Sequence, residues 1–106
     1  MNNPQFDPFQ IIADPSRRKI LELLSEEEMT VNSLVENFEM SRPAVSKHIK
    51  ILQEGGFVSI RNQGRERICS LRHQGFLQIQ EWLSNYEVFW ANRLSRLQQL
   101  LSKNSD

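Results

Sequence analysis

Residues 41–57 read "SRPAVSKHIKILQEGGF". Ser41 is a side-chain acceptor placed to cap a helix start, and Pro43 is tolerated in a first helical turn, where its missing N–H forfeits no bond. Val45, Ile49 and Leu52, with His48 alongside, recur at helical spacing and predict one apolar face over a helix of about 42–54. Gly55-Gly56 ends it, because one glycine can take the left-handed conformation after a helix C-terminus. The other face carries Arg42, Ser46, Lys47 and Lys50. Such a face is either an ordinary solvated surface or a reader of a DNA groove, and the flanking sequence decides between them.

Upstream, Asp7-Pro8 and Asp14-Pro15 each place a capping acid before a Pro at the first helical position. They predict helices of about 8–13 and 15–25. In the second, Ile20, Leu21 and Leu24 face inward and Arg17, Arg18 and Lys19 face outward. "SEEE" (25–28) reads as a turn, because acids at a helix C-terminus oppose its dipole. Thr30 caps a third helix over 31–38, with Val31, Leu34, Val35 and Phe38 on one face. Only the short "EMS" separates it from the Ser41 helix.

Downstream the period changes to two. "FVSIR" and "RERICSL" are strand-like, and the "NQG" between them is a hairpin turn with Gly64 able to take positive φ. Residues 75–101 read as one long helix. Its apolar positions Ile79, Leu83, Tyr86, Trp90, Leu94, Leu97 and Leu101 step by 4, 3, 4, 4, 3 and 4, and Trp82 and Phe89 widen the seam. The order H-H-H-H-β-β-H is mainly α with a small β-hairpin, a winged helix-turn-helix. The 106 residues suit one domain over 1–106: helix-turn-helix 31–54, wing 57–71 and C-terminal helix 75–101.

Formal net charge is zero, yet the charge is segregated. Residues 1–40 hold eight acids against three bases, a net of −5. Residues 41–74 hold seven bases against two acids, a net of +5, and the remainder balances. Phosphate binding follows where charge sits, not the total. In a helix-turn-helix the second helix enters the major groove, N-terminal residues first. That places Arg42, Pro43, Ala44, Ser46 and Lys47 at base edges. Ser41, Lys47, His48 and Lys50 are better placed for phosphates. Arg61, Arg65 and Arg67 sit at or beside the hairpin tip and point to the backbone or an adjacent minor groove. Alternation puts Arg67 on one strand face with Cys69 and Leu71. Double-stranded DNA is the expected partner.

The seven-residue seam with its aromatic flanks exceeds what so small a core can cover. The expected partner is the same helix of a second subunit, with the first helix, through Phe9 and Ile12, packed alongside. The expected dimer interface is Phe9, Ile12, Ile79, Trp82, Leu83, Tyr86, Phe89, Trp90, Leu94, Leu97 and Leu101. A two-fold dimer would offer two recognition helices to the half-sites of a pseudo-palindrome. The alternative is a winged-helix adaptor that binds a partner protein through the aromatic helix, for which the basic block is not required.

Other functions have little support. A single cysteine, Cys69, allows no intrachain disulfide and suits a reducing, cytoplasmic setting. It reads as a small apolar strand residue. "MNNPQFDPFQ" lacks the basic and apolar regions of a signal peptide, and no apolar run approaches the roughly 20 residues of a membrane span. With His48 and His73 the only histidines, no transition-metal site is expected. His48 suits a phosphate or the neighbouring helix. No Gly-rich phosphate loop or nucleophile–base spacing is present, so neither a cofactor nor an enzyme is expected.

"DPSRRKILELL", "SRPAVSKHIKILQEGGFV" and "RNQGRERICSL" together resemble the ArsR/SmtB family of small dimeric winged-helix repressors, over about residues 10–101. The resemblance implies transcription control from a homodimer, often of the regulator's own operon. It implies recognition roles for Arg42, Pro43, Ala44, Ser46, Lys47 and His48, and wing roles for Asn62, Gln63, Gly64, Arg65 and Arg67. The tail "EWLSNYEVFWANRLSRLQQLL" resembles a subgroup that does not sense metals. Metal-sensing members carry a Cys-x-Cys pair on the first helix of the helix-turn-helix, where this chain has "SLVENF", or Asp and His ligands on the last helix, also missing here. The sequence leaves the signal open: a small ligand, thiol oxidation, a sequestering partner protein or concentration alone.

Overall fold

The computed structural model describes residues 7–103. Each of its first four helices opens on a side-chain cap: Asp7 for α1 (Pro8–Ile12), Asp14 for α2 (Pro15–Glu26), Thr30 for α3 (Val31–Glu36) and Ser41 for α4 (Arg42–Glu54). At Asp7 the bonding is reciprocal. Its carboxylate accepts from the Gln10 N–H and the Gln10 side chain accepts from the Asp7 N–H, both at 2.9 Å.

The core forms where these helices turn their apolar stripes together. Ile20, Leu21 and Leu24 of α2 and Val31 and Leu34 of α3 meet Val45, Ile49 and Leu52 of α4, with Ile11, Phe57, Val58 and Cys69 completing the buried set. Burying Val45, Ile49 and Leu52 fixes the rotation of α4 about its axis and turns the opposite face, with Lys47 and Lys50, outward. The Gly pair stops α4 as expected: Gly55 is its C-cap, and Gly56 takes φ 81°.

The wing is strands β2 (Val58–Gln63) and β3 (Glu66–Leu71), antiparallel, with Ile60 opposite Cys69 and Gln63 opposite Glu66. Asn62 and Gln63 therefore belong to β2, and the turn is the pair Gly64-Arg65, not "NQG". Gly64 has φ 64° and Arg65 has no positive φ, which fits a type II′ turn. A third strand was not expected. Met29–Thr30 (β1) pairs antiparallel with β3, giving the order β1-β3-β2.

Other boundaries shift for local reasons. α2 takes in Ser25 and Glu26, so only Glu27 and Glu28 of "SEEE" leave the helix. α3 stops at Glu36 because Asn37 folds back on it: its N–H bonds to Leu34 O and its Nδ2 to Ser33 O. The basic run of α2 does not simply face solvent. A five-residue helix cannot satisfy its own final carbonyls, and the next helix supplies donors. Arg17 Nε donates to Ile11 O at 2.7 Å, and Arg18 Nη1 donates to Ile12 O at 2.7 Å and Ala13 O at 3.0 Å. Lys19 Nζ donates to Asn37 O at 2.7 Å, tying α2 to the end of α3.

The C-terminal segment is not one helix. It opens on a 3₁₀ turn (Gln74–Phe76), continues as α5 (Leu77–Ser84), and restarts as α6 (Glu87–Lys103). At the break the bonding tightens to i→i+3, Asn85 N–H to Trp82 O and Tyr86 N–H to Leu83 O. The α-pattern resumes with Trp90 N–H to Tyr86 O. α6 leaves the body of the protein, and all of its residues with described burial are exposed. The Cα radius of gyration is 18.6 Å, against about 13 Å for a compact chain of this length.

Gly75 anchors that segment to the core. A Cβ there would stand 2.7 Å from Phe57 Cγ and 2.9 Å from Gly55 O. Phe57 is fully buried and edge-on to Phe76 at 4.9 Å, so it has nowhere to retreat. Gly75→Ala is expected to cost about 1–3 kcal/mol by overpacking, seen as a lower urea midpoint with unchanged slope.

Candidate nucleic-acid interface

Two surfaces emerge from this fold, one cationic and one apolar. On α4 the Ser41 hydroxyl is engaged as the cap, accepting from Ala44 N–H at 3.3 Å. Arg42, Pro43, Lys47 and Lys50 are exposed, and Ala44, Ser46 and His48 half-buried. The hairpin rises beside this helix. Lys50, Ser46 and Gln53 of α4 and Arg67 and Ile60 of the wing line one cleft over Val31 and Ile49. Among the described residues no hydrogen bond or ion pair occupies Arg42, Lys47, Lys50, Arg65 or Arg67. Five cationic side chains thus stand unpaired on α4 and the wing among the described residues, two of them, Lys50 and Arg67, at the shared cleft.

Arg61 is different. Its Nη1 and Nη2 each donate to a Glu28 carboxylate oxygen at 2.9 Å. That fork, aided by the Ser70 hydroxyl, holds the Glu28 carboxyl below its usual range against an opposing desolvation. The pair is half-exposed, so it contributes little to stability, but it neutralises a wing cation. Glu28 is also the acid of "SEEE" that finds a partner. His48 finds the neighbouring helix: its Nδ1 lies 3.2 Å from Arg17 Nη1. Sequence reasoning missed Arg17 as a site residue, since nothing local signals a contact 31 residues away.

Asn62 and Gln63 are exposed at the end of β2, and Arg67 is exposed although it shares a strand face with buried Cys69. Burial pushes the Cys69 thiol up to about 11, with Arg67 opposing weakly. Against an ordinary 9.0 that leaves about 100-fold less thiolate at neutral pH. A thiol-specific reagent is expected to label native protein at least that much more slowly than unfolded protein. The raised value also fixes an alkaline slope. The folded state keeps a proton that the unfolded state has released, so stability is full below pH 9 and falls as pH rises from about 9 to 11.

The second surface is apolar. Trp82, Leu83, Tyr86, Phe89, Trp90, Leu94, Leu97 and Leu101 are each 42–61% exposed. Leu77, Val88 and Leu100 join them, which the seam spacing did not single out. Phe9 meets Trp82 edge-on at 5.4 Å, and Trp82 meets Tyr86 at 5.2 Å, so α1 is fastened to α5 within one chain. Ile12 and Ile79, expected at the intersubunit face, are half-buried against this chain's own core. Among the described residues no group of three or more His, Cys, Asp or Glu side chains could hold a metal ion, and no helix is long and apolar enough to cross a membrane.

Residues 14–59, from the cap of α2 into β2, match the family described as bacterial regulatory protein, arsR family. The chain is 35% identical over 78 residues to the transcriptional repressor SdpR of Bacillus subtilis, spanning 74% of this chain and 87% of that protein. It is 32% identical over 98 residues to the HTH-type transcriptional regulator Rv2034 of Mycobacterium tuberculosis, spanning 92% and 89%.

The chain belongs to the ArsR family.

A crystal structure of the ArsR family transcriptional regulator RHA00566 superposes with a TM-score of 0.71 at 36% identity, covering 79% of this chain and 87% of that one. The protein is therefore an ArsR-family transcriptional regulator that binds DNA, with the winged helix-turn-helix fold and no enzymatic role. In this fold α4 is the second helix of the helix-turn-helix, the element that in such motifs meets the major groove.

Proposed function

We propose that this ArsR regulator is a homodimeric repressor of a pseudo-palindromic operator. In this reading α4 reads bases through Arg42, Pro43, Ala44, Ser46 and Lys47, and Ser41, Lys47, His48, Lys50 and the wing residues Asn62, Gln63, Gly64, Arg65 and Arg67 hold the backbone. The observation that carries it is the row of unpaired cations across α4 and the wing. Dimerisation is supported by the apolar side chains of α5 and α6 that stay about half-exposed among the described residues, Trp82 and Leu83 of α5 and Phe89, Trp90, Leu94, Leu97 and Leu101 of α6. Repression is supported by the likeness to SdpR, itself named a transcriptional repressor. Arg61 has the weakest claim to a phosphate, because Glu28 already holds it. The site is cytoplasmic, where the DNA is.

The controlling signal in this reading is not a metal. "SLVENF" (33–38), on α3 and just past its end, offers no cysteine, and α5 and α6 offer no histidine. The remaining inputs are a small effector, a sequestering protein, or concentration. Thiol oxidation is disfavoured by the buried, protonated Cys69.

Fluorescence anisotropy with a palindromic duplex selected by the protein from a random pool tests this, with a scrambled duplex as control. Binding at least about 10³-fold tighter than to the scramble, at one dimer per duplex and unchanged by a chelator, is the expected result. Equal weak binding to both would sink the operator reading. A monomer whose Trp82 and Trp90 stay solvent-exposed would favour the adaptor, acting through the aromatic helix.

A further inference from the structure

Arg17 sits where three helices meet. From α2 its Nε donates to Ile11 O at 2.7 Å and its Nη2 reaches Gln10 O at 3.5 Å, both at the end of α1. Its Nη1 lies 3.2 Å from His48 Nδ1 on α4. A guanidinium carries donors and no acceptor. The Nδ1 atom that faces it therefore supplies a lone pair, and the ring's proton sits on Nε2. His48 is half-buried and directly follows exposed Lys47 on the helix.

We propose that Arg17 is a positioning residue for DNA binding: it holds His48 in the Nε2–H tautomer and fixes the ring, so that Nε2–H donates an uncharged hydrogen bond to an operator phosphate. The proposal rests on α4 being the helix that meets DNA. Without Arg17 the imidazole samples two tautomers and several rotamers, and DNA binding has to select one of them. The fork also braces α4 against α1, itself fastened to α5 by the Phe9–Trp82 contact. Lysine cannot replace it, because one ammonium does not span the Ile11 carbonyl and the ring with fixed geometry.

The test uses the full chain with ¹⁵N-labelled histidine and a duplex selected by the unaltered protein from a random pool. In the unaltered protein at neutral to mildly alkaline pH, NMR is expected to show His48 protonated on Nε2 and bare on Nδ1. Arg17→Lys is expected to give a mixture. His48→Ala is expected to weaken binding about tenfold, the worth of one hydrogen bond to a charged group. Its salt slope stays unchanged, because a neutral donor displaces no counterion. Adding Arg17→Lys to His48→Ala costs nothing further if Arg17 acts through the ring.

Protonation on Nδ1 in the unaltered protein, a salt slope reduced by His48→Ala, or additive losses would each overturn the proposal. If Arg17→Lys does not fold, the tautomer of the unaltered protein and the His48→Ala slope decide alone. Lys47→Ala separates the two levels. If it leaves affinity and slope unchanged, α4 is not the DNA helix and the broader reading falls. If it weakens binding while the His48 pattern is absent, only the Arg17 proposal falls.

Discussion

Trp90→Glu combined with Leu94→Glu is expected to leave a folded monomer that binds its operator roughly 10²–10⁴-fold more weakly. The two side chains are 56% and 59% exposed, and no described residue of α6 is buried. Neither change therefore opens a cavity or strands a charge in the core, and the unfolding midpoint should barely move. In a dimer the same carboxylates would be buried at a non-polar contact without partners, a cost that association cannot bear. The loss of affinity follows from geometry. Two recognition helices joined in one particle turn the second half-site contact into an intramolecular event, and separating them forfeits the roughly 10²–10⁴-fold gain of that linkage. Sedimentation velocity and anisotropy on the same sample check it. A dimer that survives both substitutions would mean that the seam serves another partner, and the adaptor reading would gain.

How much of this was legible in the sequence depends on how local each signal is. The α4 helix was readable from end to end because its cap, its apolar positions and its stop lie within Ser41–Gly56. The hairpin was readable from its period, but its turn was placed early, because "NQG" looks like a turn whichever two residues make it. β1 carries no period at all. Two residues become a strand only because β3 passes beside them, with Met29 opposite Cys69. The break at Asn85–Tyr86 had no signal either. No Gly or Pro marks it, and the apolar spacing runs through it undisturbed, so the seam could be read and the bend could not. The clearest failures are side-chain pairings at long range. Arg17 with His48 and Arg61 with Glu28 are 31 and 33 residues apart; the sequence allowed His48 a bond to the neighbouring helix but named neither Arg17 as its partner nor Glu28 as the partner of Arg61. Of the candidate site, the cations on α4 and the wing tip were legible. Which of them stay unpaired was a matter of tertiary structure.

That distinction between paired and unpaired cations sets the second large effect, the salt dependence of binding. Among the described residues Arg42, Lys47, Lys50, Arg65 and Arg67 stand unpaired, so a homodimer would bring ten to the DNA. If six to ten of them meet phosphates, raising salt from about 50 to 200 mM weakens binding by about 10³–10⁵. The slope is the sharper observable, because it counts displaced counterions independently of overall affinity. Lys47→Ala with Arg65→Ala removes four cations from the dimer and should flatten the slope by roughly 3–4, at about 0.9 per phosphate. Arg61→Ala should change it by less than about 1, since the Arg61 guanidinium is already spent on Glu28. A net charge of zero is no obstacle. The Debye length at 0.15 M is about 8 Å, so phosphates feel the cations they meet on α4 and the wing far more than acids elsewhere on the surface. A slope near zero, or one that both variants leave alone, would mean that these side chains do not meet the backbone and that another face of the protein carries its binding.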